Sequence, residues 1–189
     1  MPVAIMGLQE GKNIYCQEEP FPAQVIPVGF GNAPFAITAT DEKREQFAVL
    51  IDEESSLLSE NEGERVFTDD GEKTEYMEAR VEGLVQAAQQ HHQTQEITKY
   101  LVEKNLITTQ QVRLQHRPDG RLYNIDGIHV VDEQKFNELS NEDFLDMRSR
   151  GLVALVYAHL NSLQQLRRVS ERQYAADKAA EATESEESS

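Results

Sequence analysis

The residues best equipped for chemistry fall into an acidic stretch and a scatter of histidines. The stretch Ile51–Glu72, IDEESSLLSENEGERVFTDDGE, holds nine acids, one base and two glycines. Carboxylates at this density suit a hard cation, a catalytic acid–base pair or a solvated connector. An EF-hand loop needs an Asp at its first position, Gly at the sixth and Glu at the twelfth. Neither Gly63 nor Gly71 satisfies that spacing, which excludes the motif. A looser cation site from Asp52, Glu53, Asp69 and Asp70, a carboxylate pair, and a charged connector feeding a helix at Asp69–Glu72 stay open. Acids ahead of a helix N-terminus complement its dipole, which makes the connector the plainest use of these residues.

The five histidines offer less. His91 and His92 are adjacent and point about 100° apart on a helix, so they do not share a metal easily. His92 and Glu96 share a helix face, but two ligands do not make a zinc site, and there is no His-Glu-x-x-His. His116 and His129 lie on or near a predicted hairpin. His159 stands inside an apolar stripe, where a histidine is most often a core residue with its ring nitrogens satisfied and less often a ligand or proton carrier. Cys16 has no neighbour that would activate a thiolate and reads as an inert free thiol. There is no Gly-x-Ser-x-Gly elbow. GFGNAP, with Gly29 and Gly31, leads into Pro34 and a strand instead of a helix, so it reads as a β-turn and not a phosphate loop.

The elements that must position these residues follow from periodicity and turn chemistry. PVAIM, AQVIPVGF and PFAIT are short β-prone runs cut by Pro20, Pro22, Pro27 and Pro34. QFAVLI, Gln46–Ile51, is apolar almost throughout and reads as a strand buried on both faces, entered through a charged turn at Asp41–Glu45. From Glu72 to about Asn105, Met77, Val81, Leu84, Val85 and Ala88 keep helical spacing, and Ile97, Leu101 and Val102 resume it. QQHHQTQE between them is polar, giving either one long helix or two meeting near Thr94. Asn105 is a plausible C-terminal cap. Val112 and Leu114, the Pro118-Asp119-Gly120 turn and Leu122–Ile125 predict a hairpin, with a second turn at Asp126-Gly127 and a third short strand in IHVV. A helical turn follows over Asp132–Leu139, then a helix capped by Ser140, a break at Gly151 and a last helix from Leu152 to about Tyr174. Leu152, Leu155, Val156, His159, Leu163 and Leu166 form its stripe, widened by Val153, Tyr157 and Leu160, so its first half should be nearly surrounded. The fold class is α+β: a β-rich N-terminal half, a long middle helix, a hairpin and C-terminal helices. One domain over 1–174 and a disordered acidic tail over 175–189 complete the expectation.

The chain has 189 residues and a formal net charge of −16. That charge repels nucleic-acid backbones and anionic membrane surfaces, and leaves basic or neutral partners. No run approaches the length of a bilayer-spanning helix. A lone cysteine and an N-terminus without a signal-peptide pattern lead to the expectation of a cytoplasmic protein.

Three blocks, in order, resemble the SapC family of bacterial proteins. They are PVAIMGLQEGKNIY, then PFAI with FAVLIDEESSLLSENEGERVFTDDGE, and finally YNIDGIHVVDEQKFNELSNEDFLDMRSRGLVALVYAHLNSLQQL. The likeness covers roughly residues 2–169. It marks Asp52, Glu53, Glu62, Gly63, Glu64, Asp70 and Gly71 in the acidic block, and Tyr157, His159 and Ser162 in the last, as family-motif positions. Against the family pattern this chain starts almost at PVAIMGL, lacking a usual preceding segment, and has GNA where aromatic and basic residues usually precede PF. The resemblance implies association with a paracrystalline bacterial surface layer, through a protein partner of the layer or envelope. It supplies no catalytic residues, no cofactor and no metal. The expected function is therefore a non-catalytic accessory protein. The alternatives are an adaptor for a cytosolic enzyme or an outer-membrane uptake system, and a metal-dependent enzyme using the acidic block with His159.

Overall fold

A computed structural model describes residues 1–16, 21–22, 26–41 and 46–187. Pro20, Ala23–Val25 and Glu42–Glu45, which belong to the N-terminal runs and the charged turn, lie outside the described residues. The order is α1 (Val28–Asn32), β1 (Phe35–Ala39), β2 (Phe47–Ile51), α2 (Glu75–Glu103), β3 (Ile107–Leu114), β4 (Tyr123–Val131), α3 (Glu133–Asn137), α4 (Asn141–Ser149), α5 (Leu152–Leu163) and α6 (Leu166–Glu187). The fold is α+β, with two antiparallel hairpins and the long middle helix expected from the sequence. Contacts divide the chain into two compact units, Gln24–Glu96 and Met1–Ala23 with Ile97–Ser189.

In the Gln24–Glu96 unit, β1 and β2 pair from Phe35↔Ile51 to Ala39↔Phe47. One face of this hairpin packs on α2: Phe35, Met77 and Leu84 form the core, with Ile37, Val49, Val66 and Val81 against it. Burial of β2 on both faces does not hold, since Phe47, Leu50 and Ile51 are 43%, 50% and 40% exposed. Among the described residues the sheet has two strands only, and Ala36, Thr38 and Leu50 on its second face are exposed. The expected turn at GFGNAP is instead the short helix α1, opened by the Phe30 N–H bonding Pro27 O. Arg80 closes it from α2, its Nη2 donating to the carbonyls of Gly31, Asn32 and Ala33 at 2.9–3.2 Å.

In the second unit the core is Leu101, Leu106, Val131, Phe136, Met147, Leu152 and Val156. Helix α2 is continuous through Thr94 and stops at Asn105, which adopts φ 56°. Leu106 N–H bonds Leu101 O and Asn105 N–H bonds Val102 O, the paired bonds of a Schellman ending, and Leu101 and Leu106 supply its apolar contact in the core. PVAIM forms no strand; Met6 O accepts from Ile14 N–H in a tight loop. Asp126-Gly127 is not a turn. β4 runs straight through it, and the register jumps from Gln110↔Ile128 to Val112↔Ile125, so two residues of β4 oppose one of β3. This is a bulge with Gly127 at φ 74°; a left-handed glycine serves a bulge as readily as a turn, and only pairing decides which.

Asp132 caps α3 by accepting from Lys135 N–H. Ser140 caps α4 by accepting from Asp143 N–H, as the sequence predicts. The left-handed Gly151 separates α4 from α5. The last helix is two helices. Gln164 and Gln165 N–H bond back three residues, to Asn161 O and Ser162 O, which tightens the final turn of α5 before α6 begins. Helix α5 is also less enclosed than its stripe suggests. Leu152 and Val156 are buried, whereas Leu155 and Tyr157 are 45% and 46% exposed. Helix α6 continues past Tyr174 into the acidic segment, where Asp177 and Lys178 make side-chain contacts.

The contrast between buried and exposed apolar positions gives a direct test. Met147→Ala should lower the unfolding free energy by about 2–5 kcal/mol, because Met147 is wholly buried. Leu155→Ala should change it by no more than about 0.5 kcal/mol. Urea denaturation of the two variants checks both.

Candidate functional site

The acidic connector is built from short-range turns. Asp52 Oδ1 accepts from Glu54 N–H, Ser55 Oγ from Leu57 N–H, and Ser59 Oγ from the N–H groups of Asn61 and Glu62. Asn, Asp and Ser offer such local acceptors, which is why they gather in turns. Glycines 63 and 71 take φ 95° and 81° and reverse the chain twice. Thr68 N–H bonds Glu72 O, Gly71 N–H bonds Thr68 O, and Phe67 bridges Lys73, making a small reversal at the Asp-Asp-Gly. Thr74 then caps α2, its Oγ1 accepting from Met77 N–H. Arg65 pairs with Asp69 across the reversal and holds that carboxyl below its usual range.

The family-motif acids Asp52, Glu53, Glu62, Glu64 and Asp70 are all exposed along this connector. Among the described residues, no group of three or more His, Cys, Asp or Glu could hold a metal ion. Leu57 and Phe67, within the same acidic run, are 67% and 53% exposed. The connector thus presents apolar side chains inside a negative surface.

The motif residues of α5 serve the second unit. His159 Nε2 accepts from Val131 N–H at 3.2 Å. That bond fixes the neutral tautomer with the proton on Nδ1, and burial lowers the pKa of the ring below 6.5. Tyr157 stacks edge-on against Phe136, with ring centroids 5.5 Å apart. Ser162 Oγ donates to His159 O one turn back. His159 and Tyr157 join α5 to the end of β4 and to α3, while the Ser162 bond stays within α5. Elsewhere, His116 stacks on Tyr174, His129 Nδ1 lies 3.1 Å from Thr109 Oγ1, and His91 lies one turn from Gln95. Cys16 is exposed.

Sequence reasoning missed a polar network that involves none of the motif residues. Gln173, only 2% exposed, accepts Leu8 N–H on Oε1 at 3.0 Å and donates from Nε2 to Asp177 Oδ1 at 2.9 Å. Tyr123 OH donates to Asp177 Oδ2 at 2.7 Å and accepts from Gln9 Nε2 at 2.9 Å. Burial and the bond to Asp177 raise the pKa of the Tyr123 hydroxyl. The network lines two shallow clefts, of about 370 and 300 Å³, that share Gln9 and Arg121. The four-residue spacing of Gln173 and Asp177 was the one signal in the sequence; Leu8, Gln9 and Tyr123 are brought to it by tertiary folding alone. A second cluster joins α2 to α4. Tyr100 OH donates to Asp146 at 2.8 Å, Arg150 Nε donates to both Asp146 oxygens, and Lys104 pairs with Asp143. All its members are tied to one another, so it reads as structural.

Protonated His159 cannot accept the Val131 N–H. Its contribution to stability is present above the unfolded pKa of 6.5 and is lost as pH falls through the lower folded value. The urea midpoint of the native chain should therefore drop more steeply below pH 6.5 than that of His159→Gln, whose amide oxygen accepts without titrating. Tyr123→Phe removes a donor and an acceptor from the network and should cost about 1 kcal/mol, read from the same denaturation curves at neutral pH.

A family model described as SapC matches residues 1–169 of the chain. No curated protein and no solved structure matches it.

Proposed function

Because the chain belongs to the SapC family, we propose that it is a non-catalytic accessory protein that binds a protein partner of the bacterial surface layer or envelope. The observation that carries this reading is the surface of Gln24–Glu96. Ile26, Phe30, Leu50, Leu57 and Phe67 are each about half exposed or more there. Apolar side chains exposed in that number, on one small unit rich in carboxylates, favour association with another macromolecule. Two further features favour binding over catalysis. The acidic block is organised by local turns, and the family-motif residues of α5 are engaged in packing and backbone bonds. No described helix is long and apolar enough to cross a membrane.

Mild cross-linking of the tagged chain in its native cell, followed by mass spectrometry, tests the proposal. Surface-layer or envelope proteins should be enriched over an untagged control. A cytosolic enzyme as the sole partner would sink the surface-layer assignment and move the protein to the adaptor class.

A further inference from the structure

We infer that the outer edge of β2 is an acceptor for an extended, basic segment of a partner protein, which adds to the hairpin as a third strand. This inference rests on the binding role proposed above and names the partner's chemistry.

The edge is open by register. Thr40 N–H bonds Gln46 O, and Asp52 N–H bonds Pro34 O, at the two ends of the hairpin. Hydrogen-bonded pairs alternate along an antiparallel ladder, so Thr38↔Ala48 and Ala36↔Leu50 are the bonded pairs between them. The backbone groups of Phe47, Val49 and Ile51 therefore point away from β1. Among the described residues no third strand pairs with them.

Chains that leave an edge open usually blunt it with a charge, a proline or a bulge. β2, Phe-Ala-Val-Leu-Ile, has none of these. Its Phe47, Leu50 and Ile51 are exposed, whereas β1 begins at the buried Phe35, so β2 is the more accessible of the two edges. Two five-residue strands also make a marginal sheet, which a third strand would complete.

Charge selects the occupant. Residues 24–96 hold sixteen Asp and Glu against five Lys and Arg, a net charge of −11 out of −16 for the chain. From Gln46 to Glu64 there are six acids and no base, beginning with Asp52, Glu53 and Glu54 directly after β2. A second copy of this surface would meet it with the same sign and be repelled. A strand alternating Lys or Arg with apolar residues would bond the open backbone, lay its apolar side against Phe47 and Ile51, and meet the carboxylates with its cations.

The probe is a labelled synthetic peptide of about ten residues alternating Lys and Val, titrated with the full chain and read by fluorescence anisotropy. It should bind and weaken with added salt. The same peptide with Glu for Lys should bind at least ~10-fold more weakly. So should a Lys/Val peptide of unchanged charge whose alternate amides are N-methylated. Phe47→Pro removes an outward N–H at the first residue of the strand together with the ring the peptide would lie against, and should weaken the Lys/Val peptide while leaving the circular dichroism unchanged. If that variant does not fold, the exposed double change Glu53→Lys with Glu54→Lys tests the charge requirement instead. Equal binding of the N-methylated peptide would reduce the effect to charge attraction and overturn strand addition. Equal binding of the Glu peptide, no binding of the Lys/Val peptide, or a dimer of the chain that the peptide disperses would overturn the basic occupant. The two readings fail separately. A Phe47→Pro chain that loses the peptide but keeps its envelope cross-links overturns the edge alone, and peptide binding without envelope partners overturns the surface-layer role alone.

Discussion

Helix α2 is the constraint on which both units depend. Its N-terminal part supplies Met77, Val81 and Leu84 to one core, and its C-terminal part supplies Ile97, Tyr100 and Leu101 to the other. Between them lies QQHHQTQE, polar and largely exposed. A helix earns most of its stability by burying an apolar face, so this division obliges each end to have its own packing partner. The β1–β2 hairpin covers the first, and β4, α3, α4 and α5 cover the second. The Schellman ending at Asn105 then turns the chain into β3, so the point where the helix stops also sets where the second hairpin starts.

The two units handle polar groups differently. In Gln24–Glu96 backbone N–H groups of the connector are met by side chains a few residues away, those of Asp52, Ser55, Ser59 and Thr68, and the acids of the connector are exposed. Local satisfaction leaves the surface chemistry available for a partner. In the other unit, polar side chains bond across long sequence separations: His159 to the backbone of Val131, Tyr123 to Asp177, Tyr100 to Asp146. Buried polar groups left unpaired are costly, so these bonds fix how helices and strands meet instead of offering reactive groups. The histidine in the apolar stripe is a structural acceptor for this reason, and its lowered pKa follows from burial alone.

Turn chemistry and register together account for the differences between expectation and structure. Asp126-Gly127 carries the signature of a turn and forms a bulge, because Ile128–Val131 finds its partners on Ile107–Gln110 without reversing. The apolar run of β2 reads as doubly buried, yet only one face of the two-stranded sheet is covered. The stripe from Leu152 to Leu166 has no internal breaker, and the division at Gln164-Gln165 is visible only in its shortened hydrogen bonds.

The sequence by itself determined what depends on neighbours along the chain: the long helix, the Pro118-Asp119-Gly120 hairpin, the cap at Ser140, the break at Gly151, and the identity of the motif blocks. These signals are local, and each residue's own conformational preference is enough to set them. Only the tertiary structure decided what depends on residues meeting from far apart. It gave His159 an acceptor's role, assembled Gln9, Tyr123, Gln173 and Asp177 into one network, and left β2, among the described residues, without a second partner strand beside a run of acids. Burial and pairing are properties of the packed chain, and no window of sequence carries them.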